Sequence, residues 1–452
     1  MDDSINDLRK EILKSETFCF YPFLELSTNP AGHLKPCCYY SNVLFKGDEG
    51  DYTNIYSITK NSTLEEAWNS RPMIEIRRQL VEGEVNKNCD TCYRDGPASM
   101  RVRSIGEYKN NAEVLTKVQD TILNGYETPY LPSRLELKPS NLCNLKCVMC
   151  NSYDSTQVAK ELVELSNKFK GINVKTGRFI SINLEQPGIT ETHAAFEDVE
   201  VPDWSDNDEL WNSFTKIAPG LEHLSFAGGE PTLIPFVQKV LDYCVEQDYA
   251  KNIKISVASN FTNMNKNFLE VMPKFKRFEI IASIDGIGLV NDYCRYPSKW
   301  SQISSNYEKT KQLTKHSNVK IMTNITVNFL NVMNLDQLLY WIEDQADRYP
   351  YFREYPYNIN LIWSPNDQRI EHLPNHLKEI AIQRLEKYKS TSSILKEFPG
   401  MVSRIDLVLN ELKKQGSEYE LEQFKKRLKV LDEHRGINVV DYIPDLGDAF
   451  NE

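Results

Sequence analysis

The sequence predicts an α/β fold: a partial (β/α)6, TIM-like barrel with a small cysteine-rich N-terminal domain and a helical C-terminal extension. Three observations predict it. From residue 134 onward, six short apolar runs alternate with helix-patterned stretches, and strand–helix alternation implies parallel strands joined by right-handed crossovers. Five of the ten cysteines lie before residue 93. Beyond residue 366 the chain is charged and helix-patterned through about residue 434.

Composition narrows the class. The 452 residues are 40% hydrophobic and 11% aromatic, enough for one large core and a smaller one. No apolar run of about 18 residues occurs, so no membrane span is expected. The opening "MDDSINDLRKEILK" is charged and lacks the apolar centre of a secretory signal. A net charge of −11 argues against general nucleic-acid binding. A cytoplasmic protein is expected, in which clustered cysteines bind metal or do chemistry rather than form disulfides.

The candidate strands in chain order are 134–140, 221–229, 253–260, 278–286, 319–328 and 358–365. Amphipathic helices such as "PFVQKVLDYCVEQ" and "LDQLLYWIEDQADRY" fit between them. In such sheets chemistry gathers at the carboxyl ends of the strands. The stretch from about 165 to 208 has no clear period and many turn formers, and reads as an insertion, a lid or substrate-facing loop. The expected divisions are 1–128, 129–366 and 367–452, the tail "LDEHRGINVVDYIPDLGDAFNE" docking on the core. No internal repeat or low-complexity tract is present.

After the first barrel strand, "NLCNLKCVMC" carries Cys143, Cys147 and Cys150 at C-x3-C-x2-C spacing. Three thiolates in so short a loop can take three corners of a [4Fe–4S] cluster, leaving the fourth iron open to a ligand that is not protein. A zinc site completed by a distant His or Cys is the competing reading. The end of the second strand, "SFAGGEP", favours the first. Gly228 and Gly229 let backbone approach a ligand closely, and Glu230 offers a carboxylate to an ammonium group.

C-x3-C-x2-C followed by Gly-Gly-Glu resembles the radical S-adenosylmethionine (radical SAM) family over residues 134 to about 365. The resemblance implies that the amino and carboxylate groups of S-adenosylmethionine chelate the open iron. It also implies that the reduced cluster cleaves the cofactor to methionine and a 5′-deoxyadenosyl radical, which takes hydrogen from a substrate. An electron donor such as flavodoxin or ferredoxin is then needed. The family's usual aromatic residue before the last cysteine is Met149 here, whose backbone is left to contact adenine. Glu230 is implied for the cofactor amino group, Ser259 and Asn260 of "SVASN" for the ribose hydroxyls, and Ser283 and Asp285 of "SIDG" for ribose or substrate. Arg295 is implied for the cofactor carboxylate by a two-pronged hydrogen bond. Without the resemblance, Asp285–Gly286 is simply a turn and Arg295 a surface cation.

The upstream cysteines have their own pattern. Cys19, Gly32 and Cys37 give C-x12-G-x4-C, followed by "CDTC" at 89–92. The first half resembles the opening of SPASM and twitch domains, which bind auxiliary iron–sulfur clusters. Those domains usually follow the barrel, and the downstream C-x5-C-x3-C of the full pattern is missing here. The resemblance implies one auxiliary [4Fe–4S] cluster on Cys19, Cys37, Cys89 and Cys92, with Cys38 as alternate or neighbour. A zinc ribbon is the alternative, because thiolate spacing does not select iron over zinc. The glycine is expected to permit a tight hairpin returning Cys37 to Cys19. Cys244 and Cys294 stand alone and are expected as small buried hydrophobes.

The function expected is oxidative radical modification of a peptide or protein. Dehydrogenation of a sugar- or cyclitol-type small molecule is the nearest alternative. A non-catalytic iron–sulfur electron carrier or binding scaffold is the alternative from another class, and it has no use for a Gly-Gly-Glu cofactor cradle.

Overall fold

Alternating burial along the strands organises the molecule, whose computed structural model describes residues 3–96, 99–168, 172–175, 179–182, 204–348 and 356–450. The strands are β1 (Glu25–Thr28), β2 (Leu34–Lys35), β3 (Arg134–Leu137), β4 (Ile172–Lys175), β5 (Phe179–Ile182), β6 (His223–Phe226), β7 (Lys254–Ser259), β8 (Arg277–Ser283), β9 (Val319–Val327) and β10 (Tyr357–Leu361). Along β9, Val319, Ile321, Ile325 and Val327 are buried, and the intervening Lys320, Met322, Asn324 and Thr326 are half-buried. The apolar set packs in the main core with residues of the surrounding helices.

The other face is polar. His223 Nε2 lies 3.0 Å from Ser256 Oγ, and Asn324 Oδ1 accepts from Asn358 at 3.0 Å and Asn360 at 2.8 Å. A parallel sheet covered on both faces by helices reads as continuous apolar runs. Here one face alternates out, as required of the inner wall of a barrel with a polar interior.

All six predicted strands form, and they are neighbours in order, β3-β6-β7-β8-β9-β10, every pair parallel. The sheet does not stop at β3. β1 pairs parallel to β3, with Leu26 opposite Leu135, and β2 adds antiparallel to β1. The N-terminal segment therefore supplies two further strands to one eight-stranded sheet. Its two ends come close together: one cavity of about 500 Å3 is lined by His33 and Lys35 beside β2 and by Ser364 just past β10. The sheet is curled.

Helices follow β6, β7, β8 and β9, and others lie on the C-terminal side, including Asn375–Thr391, Val402–Leu412 and Glu418–Arg435. Ser417 caps the last of these, and Gly436 ends it in the left-handed conformation at φ 66°. Leu446 and Ala449 of the tail are buried in the main core. Most of segment 165–208 lies outside the described residues, and with it the expected lid or substrate-facing loop. β4 and β5 pair there as an antiparallel hairpin. Among the described residues no helix is long and apolar enough to cross a membrane.

Candidate functional site

The three-cysteine loop is fixed from three directions. Its own following helix holds it first: Cys143 N donates to Thr156 Oγ1 at 3.2 Å, and Ser155 Oγ donates to Leu145 O at 2.8 Å. The segment after β8 holds it next, with Lys146 N donating to Tyr296 O at 2.6 Å and Val148 N to Cys294 O at 2.9 Å. The C-terminal region closes the third side. Gln368 Nε2 donates to Val148 O at 2.9 Å, and Arg435 donates to Lys146 O at 2.7 Å.

Burial pushes all three thiols up, Cys147 to about 12, and the charge of a neighbouring cysteine adds to the rise for Cys147 and Cys150. Burial therefore favours the neutral thiols, against the lowering of Cys143 and Cys147 by Arg295, and a bound cation would hold the sulfurs ionised. The thiols of Cys143, Cys147 and Cys150 act on one another electrostatically, and three neighbouring thiols of one short loop suit a cluster with one open iron.

The glycine pair has a definite job. Gly228 and Gly229 lie at φ 76° and 55°. A Cβ on Gly229 would stand 2.4 Å from Leu142 O, and one on Gly228 would stand 2.9 Å from Lys138 Cβ. The close approach is thus to the start of the cysteine loop, and Glu230 N completes it by donating to Leu142 O at 2.8 Å.

Glu230 is buried and accepts from Asn260 N at 2.6 Å, Thr232 Oγ1 at 2.6 Å, Ser259 Oγ at 2.8 Å and Thr232 N at 3.2 Å. Burial raises its carboxyl, against the lowering by these donors. Ser259, expected at a ribose, spends its proton on Glu230. Asn260 Nδ2 donates to Asn144 Oδ1 at 3.0 Å and lies 4.0 Å from Cys143 Sγ. Asn260 therefore ties the end of β7 to the cysteine loop, and Ser259 ties it to the turn after β6.

Asp285 and Arg295 meet as a buried ion pair at 2.7 Å. The other Asp285 oxygen accepts from Thr326 N at 2.7 Å. Arg295 Nε is buried with no hydrogen-bond partner among the described residues. The guanidinium thus pairs with Asp285 through one amino nitrogen, and Nε keeps a donor to spend. Ser283 ends β8 opposite Asn324, and Met149 is half-buried in the cysteine loop. Cys244 and Cys294 are fully buried, and Cys294 adds its carbonyl to the loop.

The N-terminal cysteines divide into four and one. Cys19, Cys37, Cys89 and Cys92 line one cavity with apolar and aromatic neighbours that include Tyr40, Ile76 and Tyr93. Burial raises all four thiols, Cys19 to about 11 and Cys89 to about 12. Cys38 is not in that cavity; its sulfur groups with the carboxylates of Glu25 and Glu136. Gly32, at φ 76°, sits in the turn between β1 and β2, where Asn29 N donates to His33 O at 3.0 Å. Four soft donors around one enclosed space suit a closed cluster or zinc.

Sequence reasoning missed Gln368, Arg435 and Thr232. The first two reach the cysteine loop from 220 and 289 residues away, and no local pattern marks them. Thr232 was accessible: it lies two residues after Glu230, the spacing of a local side-chain cap.

Residues 19–93 match the SPASM family, described as an iron–sulfur cluster-binding domain. No curated protein matches the chain. Among solved structures it is similar to Streptococcus suis SuiB bound to S-adenosylmethionine, at 13% identity and TM-score 0.35, over 69% of this chain and 58% of that one. It is similar to anSMEcpe with bound AdoMet at 17% identity and TM-score 0.33, over 57% and 60% of the respective chains. SuiB bound to its precursor peptide SuiA gives 12% identity and TM-score 0.36, over 73% and 67%. The chain thus spans about three-fifths of the first two structures.

Proposed function

We propose that this protein is a radical SAM enzyme with an N-terminal SPASM domain, and that it oxidatively modifies a peptide or protein. The observation that carries the reading is the loop of Cys143, Cys147 and Cys150 pinned beside Arg295, whose buried Nε has no hydrogen-bond partner among the described residues. The bound cluster and S-adenosylmethionine would supply a carbon-centred radical able to abstract hydrogen. The protein's part is position and exclusion of water. Arg295 would take the cofactor carboxylate, held at a fixed angle by Asp285. The Glu230 network would keep the Gly228–Gly229 turn against the loop. The polar inner face would receive the substrate.

A carrier or scaffold needs neither a three-thiol loop nor a buried arginine presented beside it. The hydroxyl and amide groups of Ser256, Asn324, Asn358 and Asn360 on the inner face favour a second reading, a polyhydroxylated small molecule as substrate.

The test is cofactor cleavage by anaerobically reconstituted, reduced protein. Release of 5′-deoxyadenosine from S-adenosylmethionine is expected, and the Cys143→Ala/Cys147→Ala/Cys150→Ala variant should release none. A triple variant that still produced it would exclude these cysteines as the cluster ligands.

A further inference from the structure

One group of acceptors on the inner face holds a buried oxygen with no donor among the described residues. Glu25 opens β1 and Glu136 lies in β3, on the same side of the sheet as Glu25's register partner Arg134. Glu25, Cys38 and Glu136 each offer an oxygen or sulfur atom, all within 4.8 Å of one another. Glu25 is 4% exposed, and one carboxylate oxygen, Oε2, accepts from Arg134 Nε at 3.1 Å. The other, Oε1, is buried with no hydrogen-bond partner among the described residues. Two residues on, Ser27 is fully buried and its hydroxyl is likewise unpartnered. An unmet buried polar group costs about 1–3 kcal/mol, so two together mark a place where a ligand brings donors.

Of the neighbouring cations, Arg134 alone forms an ion pair with a member of the group among the described residues, while Lys35 and Lys138 feel the charge of Glu136 without pairing to it. Arg134 divides its charge between Glu25 and Glu107, at 3.1 and 3.7 Å. Lys35 donates to Cys38 O at 3.1 Å. Neither Lys35 nor Lys138 forms an ion pair with Glu25 or Glu136 among the described residues. Both lysines instead line the cavity of about 500 Å3 between the two ends of the sheet, beside Asp154 just past the three-cysteine loop. On the other side, Cys37, the immediate neighbour of Cys38, lines the four-cysteine cavity.

We propose that Glu25, Cys38 and Glu136 form a subsite for an ammonium group of the substrate, that of a lysine-like side chain in a peptide. It rests on the reading of the protein as a peptide-modifying enzyme. An ammonium has three tetrahedral N–H donors and no acceptor. Glu25 and Glu136 offer it carboxylate acceptors and Cys38 a sulfur, all within 4.8 Å of one another, and Glu25 Oε1 still lacks a donor among the described residues. The subsite would anchor the substrate at the inner face between the two cysteine sites, leaving an adjacent carbon to face the reacting centre.

The experiment is anaerobic titration calorimetry of the cluster-reconstituted full chain. The probes are Nα-acetyl-lysine amide, its uncharged analogue without the ammonium, Nα-acetyl-norleucine amide, and zinc ion alone. The lysine probe should bind at least 10-fold more tightly than norleucine, and Glu136→Gln should remove that preference. Glu25→Gln should do the same, but it also frees Arg134, so Glu136, which forms no ion pair among the described residues, carries the test. Equal binding of the two amides, or a preference surviving in Glu136→Gln, overturns the proposal. So does uptake of an extra equivalent of zinc that Glu136→Gln abolishes without any ammonium preference, which would make this a metal site. Wild-type release of 5′-deoxyadenosine is measured separately: cleavage without lysine preference sinks the subsite alone, and lysine preference without cleavage sinks the enzymatic reading.

Discussion

Arg295 and Glu230 carry similar expectations in the sequence, one carboxylate and one cation for the two ends of a cofactor, and the structure separates them. Arg295 has a buried Nε in reserve. Removing its side chain deletes a charge-assisted contact to an incoming carboxylate, worth roughly 1.5–3 kcal/mol, or about 10- to 100-fold in affinity. Arg295→Ala is therefore expected to weaken S-adenosylmethionine binding by that factor with iron content unchanged. Glu230 already accepts four hydrogen bonds. Glu230→Ala strands the donors of Thr232, Ser259 and Asn260, at about 1–3 kcal/mol for each group left unmet. It is expected to lower the melting temperature and the iron bound at Cys143, Cys147 and Cys150. Iron analysis and equilibrium dialysis on the two variants check this, and intact iron with weakened cofactor binding in Glu230→Ala would return that residue to direct contact.

At the scale of elements, the C-terminal helix Glu418–Arg435 is a clamp on the cysteine loop. Arg435 bonds the Lys146 carbonyl, pairs with Glu161 at 2.6 Å and lies 4.8 Å from the ring centre of Tyr296, the residue after Arg295. Both partners of the ion pair are almost fully buried. Breaking such a pair from one side costs about 3–5 kcal/mol, less here because Lys146 stands 3.6 Å from the same carboxylate. Arg435→Ala is expected to lose iron from the three-cysteine site on dilution or mild heating, with the N-terminal iron retained. Arg435→Lys should restore the ion pair but not the bond to Lys146 O.

Nothing local could have disclosed this clamp, since its partners are 289 residues apart. The barrel strands were legible because alternation and apolar runs are local signals. β1 was not, because Glu25–Thr28 is short, sits among cysteines and prolines, and becomes a strand only on the edge of β3, 109 residues on. The Gly-Gly-Glu turn was visible as a motif. That its glycines make room for Leu142 O was not, because the contact belongs to the fold.

For the whole molecule, the shared sheet sets the relation between the two cysteine sites. β1 joins the cysteine-rich N-terminal segment to the barrel through β3, and β3 runs directly into the three-cysteine loop. The four-cysteine cavity and the three-cysteine loop are therefore parts of one framework, while their thiols remain separate sets. Two cubane sites would hold about eight irons per chain after anaerobic reconstitution. Cys89→Ser/Cys92→Ser should bring that near four, because two thiols around the N-terminal cavity cannot close a cluster. Release of 5′-deoxyadenosine should persist, since Cys143, Cys147 and Cys150 and the contacts that pin their loop are untouched. Substrate turnover should fail, because the N-terminal site would no longer accept an electron or hold its side of the substrate cavity. Iron counting, zinc analysis and product detection on the same preparation decide it. About four irons and one zinc in the wild type would make the N-terminal domain a structural clip and remove the case for an oxidative reaction, leaving the barrel chemistry intact.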